Sequence, residues 1–196
     1  MPTDMQDRVH VRDVHVLSDE HYVLRKTVLD YHRRDGTWQT LIRESYDRGN
    51  GAAVLLHDSS RGMVLLTRQF RYPAFANGHT EPLIEVVAGQ LDESSAEETA
   101  RREAEEEAGC RCHALRRIFE AFMSPGAVTE RLVFFVAEYR PEDRISLGGG
   151  IAAEGEDIEV LELPLGEALA MVERGEIVDA KTIMLLQYAM LRGLTK

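Results

Sequence analysis

Hydrophobic and polar residues alternate along the N-terminal part of the chain and then give way to continuous apolar runs. From Val9 to Leu17, Tyr22 to His32 and Trp38 to Tyr46 the alternation has the period of two expected of half-buried strands. Polar breaks at Ser18-Asp19-Glu20 and Arg33-Arg34-Asp35-Gly36 separate them, and the second has hairpin chemistry. The pattern predicts a small antiparallel sheet, too thin to be stable unless another surface covers it. Asp47-Arg48-Gly49-Asn50-Gly51 is turn-rich and marks a boundary, giving an N-terminal domain over 1–48 and a larger one over 49–196. Met1 to Arg8 is polar and reads as a frayed end.

Beyond the boundary, Ala52–His57 and Met63–Phe70 read as strands, Tyr72–Glu81 as a loop, and Leu83–Val87 as a further strand that turns at Ala88–Gly89. A helix follows: Ser95 is its N-cap, Glu98 completes a capping box, and Gly109 stands where a left-handed residue ends it. Leu115–Phe122, Arg131–Tyr139 and Ile158–Leu163 read as strands, and Leu165–Arg174 and Ala180–Leu191 as helices. Gly148-Gly149-Gly150 reads as a flexible hinge to a loop carrying Glu154, Glu156 and Asp157. This order of elements predicts an α/β fold, an α/β/α sandwich around a mixed sheet.

The candidate chemistry lies in the predicted helix. At 3.6 residues per turn, Glu103, Glu106 and Glu107 share one face, while Glu105 points elsewhere. Such carboxylates repel one another, and a hard divalent cation relieves this best, because Mg²⁺ takes carboxylate oxygens and keeps waters that a phosphate can replace. A Glu-rich helix is most often a solvated face. This one follows an apolar strand and a glycine, which sets it apart.

Net charge of −11 argues against nucleic acid as a partner, since no basic stripe exists to displace counterions. The two cysteines, Cys110 and Cys112, are too close in sequence for an unstrained bridge, so free thiols and a cytoplasmic setting are expected. No apolar run is long enough to cross a membrane, and no N-terminal secretion signal is present.

The stretch Glu85–Cys110 resembles the Nudix box, G-x5-E-x7-R-E-U-x-E-E-x-G-U with U aliphatic: Arg102-Glu103, Glu106-Glu107 and Gly109 match its second half. Gly89 stands one residue closer to Arg102 than the general pattern has it, and Ala104 and Cys110 are small for the U positions. Tyr46 to Gly51, Arg68-Gln69-Phe70-Arg71, Met123-Ser124-Pro125-Gly126, Gly148 to Pro164 and Gly175 to Thr182 extend the likeness over nearly the whole chain. They resemble the sugar-nucleotide pyrophosphatase branch that acts on ADP-ribose and GDP-mannose, and among these the bacterial GDP-mannose pyrophosphatases.

That resemblance implies a Mg²⁺-dependent homodimer that splits the diphosphate of a nucleoside diphosphate sugar, GDP-mannose to GMP and mannose 1-phosphate. ADP-ribose hydrolysis is the alternative, and a non-catalytic sugar-nucleotide sensor the remoter one. It implies Glu103, Glu107, Glu156 and the main-chain carbonyl of Ala88 as metal ligands, with Glu106 as a third box carboxylate. Substrate would meet Arg71, Ala88, Gly89, Gln90, Glu107, Glu130 and Lys181, with Ile42, Arg43 and Glu44 supplied by the partner subunit. Glu156 or Glu130 would handle the attacking water, with Glu106 beside them as a catalytic candidate. An aspartate of the family pattern is Gly155 here.

Overall fold

The valines of the N-terminal segment are not in one phase: Val9 and Val11 are followed, one residue late, by Val14 and Val16. In the computed structural model, which describes residues 4–195, this slip is absorbed by a bulge. Strand β1 (Val9–Asp19) pairs antiparallel with β2 (Val23–His32), which pairs antiparallel with β3 (Trp38–Asp47). The β1–β2 register shifts between Val11 and Asp13, so Arg12 is the extra residue. Val9, Val11, Val14 and Val16 thereby face Tyr31, Leu29, Thr27 and Arg25, all on one side of the sheet.

The described part of the polar stretch before β1 is held rather than frayed. Residues 1–3 lie outside the described residues, but Arg8 is held to β2, donating through Nη2 to Tyr31 Oη (2.9 Å) and His32 O (2.8 Å). The sheet forms one compact unit, ending at Asn50 and joined by Phe122–Glu130. That segment bonds the end of β3: Tyr46 N–H donates to Ala127 O (2.8 Å) and Thr129 N–H to Tyr46 O (3.0 Å).

The second unit takes Gly51–Ala121 and the chain from Arg131 onward. Its strands are β4 (Gly51–Asp58), β5 (Met63–Gln69), β6 (Leu83–Glu85), β7 (Val87–Gln90), β8 (His113–Phe122), β9 (Arg131–Glu138) and β10 (Glu159–Pro164). Its helices are α1 (Tyr72–Ala76), α2 (Ala96–Glu106), α3 (Leu165–Glu173) and α4 (Ala180–Arg192). The sheet runs β10-β5-β4-β9-β8; β4 and β9 are parallel, while β5 is antiparallel to both β4 and β10.

β4 and β5 pair only where Leu56–Asp58 meet Met63–Leu65, and then they part. The chain from Leu83 to Gln90 fills the fork: β6 adds to β5 and β7 to β4. Between them Val86 has no strand partner for its N–H, which instead donates to Thr182 Oγ1 of α4 (2.8 Å).

On one face of the sheet Ala100, Ala104 and Ala108 pack against Ala52, Val54, Leu56 and Phe135. Ala104 is wholly buried, so its small size is what lets α2 lie close to the strands. On the other face Phe134 meets Phe119, which meets Tyr188 of α4, and α3 packs beside α4. The result is the expected α/β/α sandwich with a mixed sheet.

Local expectations differ in places: the strand read over Leu83–Val87 is two, β6 and β7, parted at Val86. Tyr72–Ala76 is a short helix rather than loop: Pro73 presets its first turn, and five residues burying nothing leave no periodicity to read. The chain does not turn at Ala88–Gly89 but runs extended through Gln90. Both cysteines are free and buried, and among the described residues no helix is long and apolar enough to cross a membrane.

Candidate active site

α2 begins as its sequence specifies. Ser95 Oγ accepts from Glu98 N–H (3.2 Å) and Glu98 Oε2 accepts from Ser95 N–H (2.9 Å), a reciprocal cap that contributes about 1 kcal/mol. Gly109, at φ +62°, ends it: the Gly109 N–H reaches Glu105 O (3.1 Å) and the Cys110 N–H reaches Ala104 O (3.0 Å). Burial then separates the glutamates. Glu105 is 46% exposed and faces Arg111, whereas Glu106 is 30%, Glu103 12% and Glu107 2% exposed. A solvated acidic face would leave all four in water.

β7 explains how two carboxylates fit under the helix. A Cβ built at Gly89 would come within 2.5 Å of Glu103 Cγ, with the carboxylate closer still, so Glu103 rests on bare backbone. Gly89 does not have a positive φ; it is needed for clearance, not for a turn. Alongside, Ala88 N–H donates to Glu107 Oε2 (3.4 Å). Desolvation, reinforced by the charge of Glu103, pushes the Glu107 carboxyl up to about 8, although Arg71 opposes the rise. Two carboxylates, one of them desolvated, offer oxygen donors of the kind that suits a hard divalent cation. Among the described residues no three His, Cys, Asp or Glu side chains converge on their own. Main-chain and water oxygens would have to complete the coordination.

The loop after β9 is docked rather than loose. Gly149 N–H donates to Glu107 O (3.0 Å) and Gly150 N–H to Glu106 O (3.1 Å), so the glycines satisfy carbonyls that α2 leaves open at its end. A Cβ at Gly148 would lie 2.8 Å from Ala108 C, and one at Gly150 would lie 2.8 Å from Glu156 Cβ. Of the triple glycine read as a hinge, Gly148 and Gly150 serve close approach, while Gly149 supplies a positive φ of 120°. Glu156 Oε2 accepts from Ile151 N–H (2.8 Å), and its charge is felt at Glu107.

Arg71 lies beyond the end of β5, where its Nε donates to Glu85 Oε2 (2.8 Å). Glu85 is 3% exposed and its other oxygen binds Lys181 Nζ, which also donates to Asp179 Oδ1 (2.9 Å). Asp179 caps α4, taking the Thr182 N–H (2.9 Å) and hydroxyl (2.6 Å) on Oδ2. Burial alone would lower the Lys181 ammonium, yet Glu85 and Asp179 outweigh it and raise it. Arg71 and Glu156, with Arg68, Phe70 and Asp157, line an open cleft of about 480 Å³.

The second unit thus gathers Arg71, Ala88, Gly89, Gln90, Glu103, Glu106, Glu107, Glu156 and Lys181. Ile42, Arg43, Glu44 and Glu130 belong to the first. There Ile42 and Glu44 share one side of β3 and Arg43 the other, and Glu130 pairs with Arg48 (3.2 Å). Sequence reading missed Glu85 and Asp179. A lone charge inside the apolar run Leu83-Ile84-Glu85-Val86-Val87 was the available signal for the first.

Residues 47–186 match the model of the NUDIX domain. The chain belongs to the Nudix family. It is a Nudix hydrolase, and the segment around α2 is its Nudix box. Residues 8–46 match a second model, described as the GDP-mannose pyrophosphatase NudK N-terminal domain. The chain is 50% identical over 190 residues to a protein of Pectobacterium atrosepticum named GDP-mannose pyrophosphatase, covering 96% of this chain and 97% of that one. A Salmonella choleraesuis protein of the same name is 50% identical over 174 residues, 88% of this chain and 90% of its own. One from Yersinia enterocolitica is 48% identical over 182 residues, 92% and 94% of the two chains. Nudix hydrolases typically use a divalent metal, and the oxygen set under the Nudix box fits one.

Proposed function

We propose that the protein hydrolyses GDP-mannose to GMP and mannose 1-phosphate with Mg²⁺. The observation that carries this is likeness along both units at once: about half of all positions agree, over nearly full length, with proteins named for that reaction. The buried carboxylate pair supports the chemistry, because a chain of net charge −11 can hold a diphosphate only through a cation and local guanidinium and ammonium groups. When bound, the cation withdraws charge from the diphosphate and makes a water more acidic.

In this reading Glu103, Glu107 and the Ala88 carbonyl hold the cation, with Glu156 as a further ligand or as the base. Glu106 is a further catalytic candidate that would reach the cation directly or through water, and Arg71 and the backbone at Ala88–Gln90 would receive phosphate oxygens. The attacking water gives its proton to Glu156 or Glu130 as its oxygen bonds to one phosphorus. The bridging P–O bond breaks, and the departing phosphate keeps the electron pair. Lys181 offers its ammonium from the start of α4.

The domain over 1–48 is proposed to make a homodimer. Val11, Val14 and Val16 are 59%, 49% and 56% exposed on one side of its sheet, an apolar row that a second copy would cover. Ile42, Arg43 and Glu44 would then serve the partner's substrate. Free buried thiols agree with the cytoplasm as its place. The test is a panel of nucleotide sugars with Mg²⁺, products separated by chromatography. GMP and mannose 1-phosphate are expected; a higher kcat/KM on ADP-ribose overturns the base assignment, and no turnover on any of them overturns the enzyme reading. A fully active monomer in sedimentation refutes the dimer.

A further inference from the structure

Glu85 precedes Gly89, the glycine that opens the Nudix box pattern, and is assigned no part in the reaction above, yet it sits where two candidate substrate cations meet. It is nearly inaccessible, one oxygen accepting from Arg71 Nε (2.8 Å) and the other from Lys181 Nζ. Its backbone is pinned in the fork of the sheet. Thr67 pairs with it across β5–β6, Thr67 Oγ1 donates to its carbonyl (3.3 Å), and the next N–H, of Val86, is caught by Thr182.

Arg71 is half out in water, and among the described residues neither of its Nη groups donates a hydrogen bond. Its charge acts on Glu107, and it lines the cleft that Glu156 also lines. A guanidinium held by Nε alone presents both Nη groups as a fork, the geometry that matches two phosphate oxygens.

We propose that Glu85 is a positioning residue for diphosphate recognition: by gripping Nε it aims the Nη fork of Arg71 at the substrate, while its other oxygen anchors Lys181 at the head of α4. The inference rests on the diphosphate reading of the site and holds for GDP-mannose and ADP-ribose alike.

The sign of the effect separates this from a charge role. Removing a carboxylate makes the site more positive, which on Coulomb grounds tightens anion binding. If Glu85 aims Arg71, removing it weakens binding. Because Glu85 and Lys181 are buried partners, the comparison is made in a Lys181→Met background, where no buried ammonium is left unpaired. There Glu85→Gln keeps one oxygen for Arg71 Nε, while Glu85→Met keeps none; both are neutral.

Inorganic pyrophosphate with Mg²⁺, titrated calorimetrically, is the probe, so no turnover is needed. K181M/E85M is expected to bind it about 10- to 100-fold more weakly than K181M and to match K181M/R71A. K181M/E85Q is expected to recover most of the loss. Equal affinity for the Gln and Met variants, or tighter binding by either than by K181M, overturns the proposal. Should the Met variant not fold, a cycle of E85A and R71A in the same K181M background decides, since alanine also leaves Nε no acceptor: coupled losses support it and additive ones overturn it. A wild-type protein that ignores pyrophosphate sinks the diphosphate reading itself, whereas a wild type that binds beside indifferent variants sinks Glu85 alone.

Discussion

Gly89→Ala is the smallest change that separates the metal site from the fold. Gly89 lies in extended backbone without a positive φ, so alanine meets no conformational obstacle and also restricts the unfolded chain. Its Cβ, however, falls on the Glu103 side chain, 2.5 Å from Cγ and nearer to the carboxylate, where ordinary contact begins at 3.4 Å. Cγ and the carboxylate must both retreat by roughly 1 Å, which Glu103 does by turning its side-chain torsions away from β7. Metal-free stability should therefore stay within about 1 kcal/mol of wild type. The metal site should not survive so well. With Mg²⁺ at about 100 times its Kd, wild type gains about 2.7 kcal/mol of stability, or roughly 5–10 °C in Tm for a chain of this size. A 100-fold weaker site at the same concentration gains only about 0.4 kcal/mol, near 1 °C. Turnover should fall by about 10²-fold, the cost of a 1 Å misplacement. The assay is thermal unfolding in chelator and in Mg²⁺, beside steady-state kinetics. If Gly89→Ala keeps the full Mg²⁺ shift and turnover, Glu103 is not placed by that glycine or does not hold the metal.

Other outcomes follow from the same geometry. In chelator, Glu107 titrates near 8 in the folded protein against an ordinary 4.5, because burial disfavours its charge; stability should fall as pH rises between those values, by about 1.4 kcal/mol per unit at most, and Glu107→Gln should flatten the slope in urea titrations while turnover drops by orders of magnitude. Glu103→Gln should regain part of its lost rate at high Mg²⁺, whereas Glu156→Gln, if it removes the base, should lose about 10²–10⁴-fold in kcat with little rescue; full kcat in Glu156→Gln and loss in Glu130→Gln moves the base to Glu130. Ala104→Leu forces α2 off Ala52, Val54 and Phe135 and should cost about 1–3 kcal/mol, read as a lower denaturation midpoint with an unchanged slope.

Much of this protein follows from local sequence. The α2 helix is declared at both ends by Ser95, Glu98 and Gly109, and the 3.6 period alone sets Glu103, Glu106 and Glu107 on one face. Caps and periodicity act within a few residues, so no tertiary knowledge is needed to read them. The strands of both units were legible for the same reason, since their apolar periods reflect one or two buried faces.

What only the tertiary structure decided lies where distant segments close on each other. Gly89 looked like a turn and is a clearance for a carboxylate fourteen residues on; the glycines at 148–150 looked like a hinge and instead seat the loop on the carbonyls ending α2. The bulge at Arg12 that puts four valines on one side depends on pairing with β2, which no single strand records. Glu85 has a role only because the split between β4 and β5 admits β6, bringing Arg71 and Lys181 to either oxygen of one buried carboxylate. A sequence states which groups are charged or small. Which of them lose water, and against what, is settled by packing, because desolvation and contact are properties of neighbours that the chain brings together only on folding.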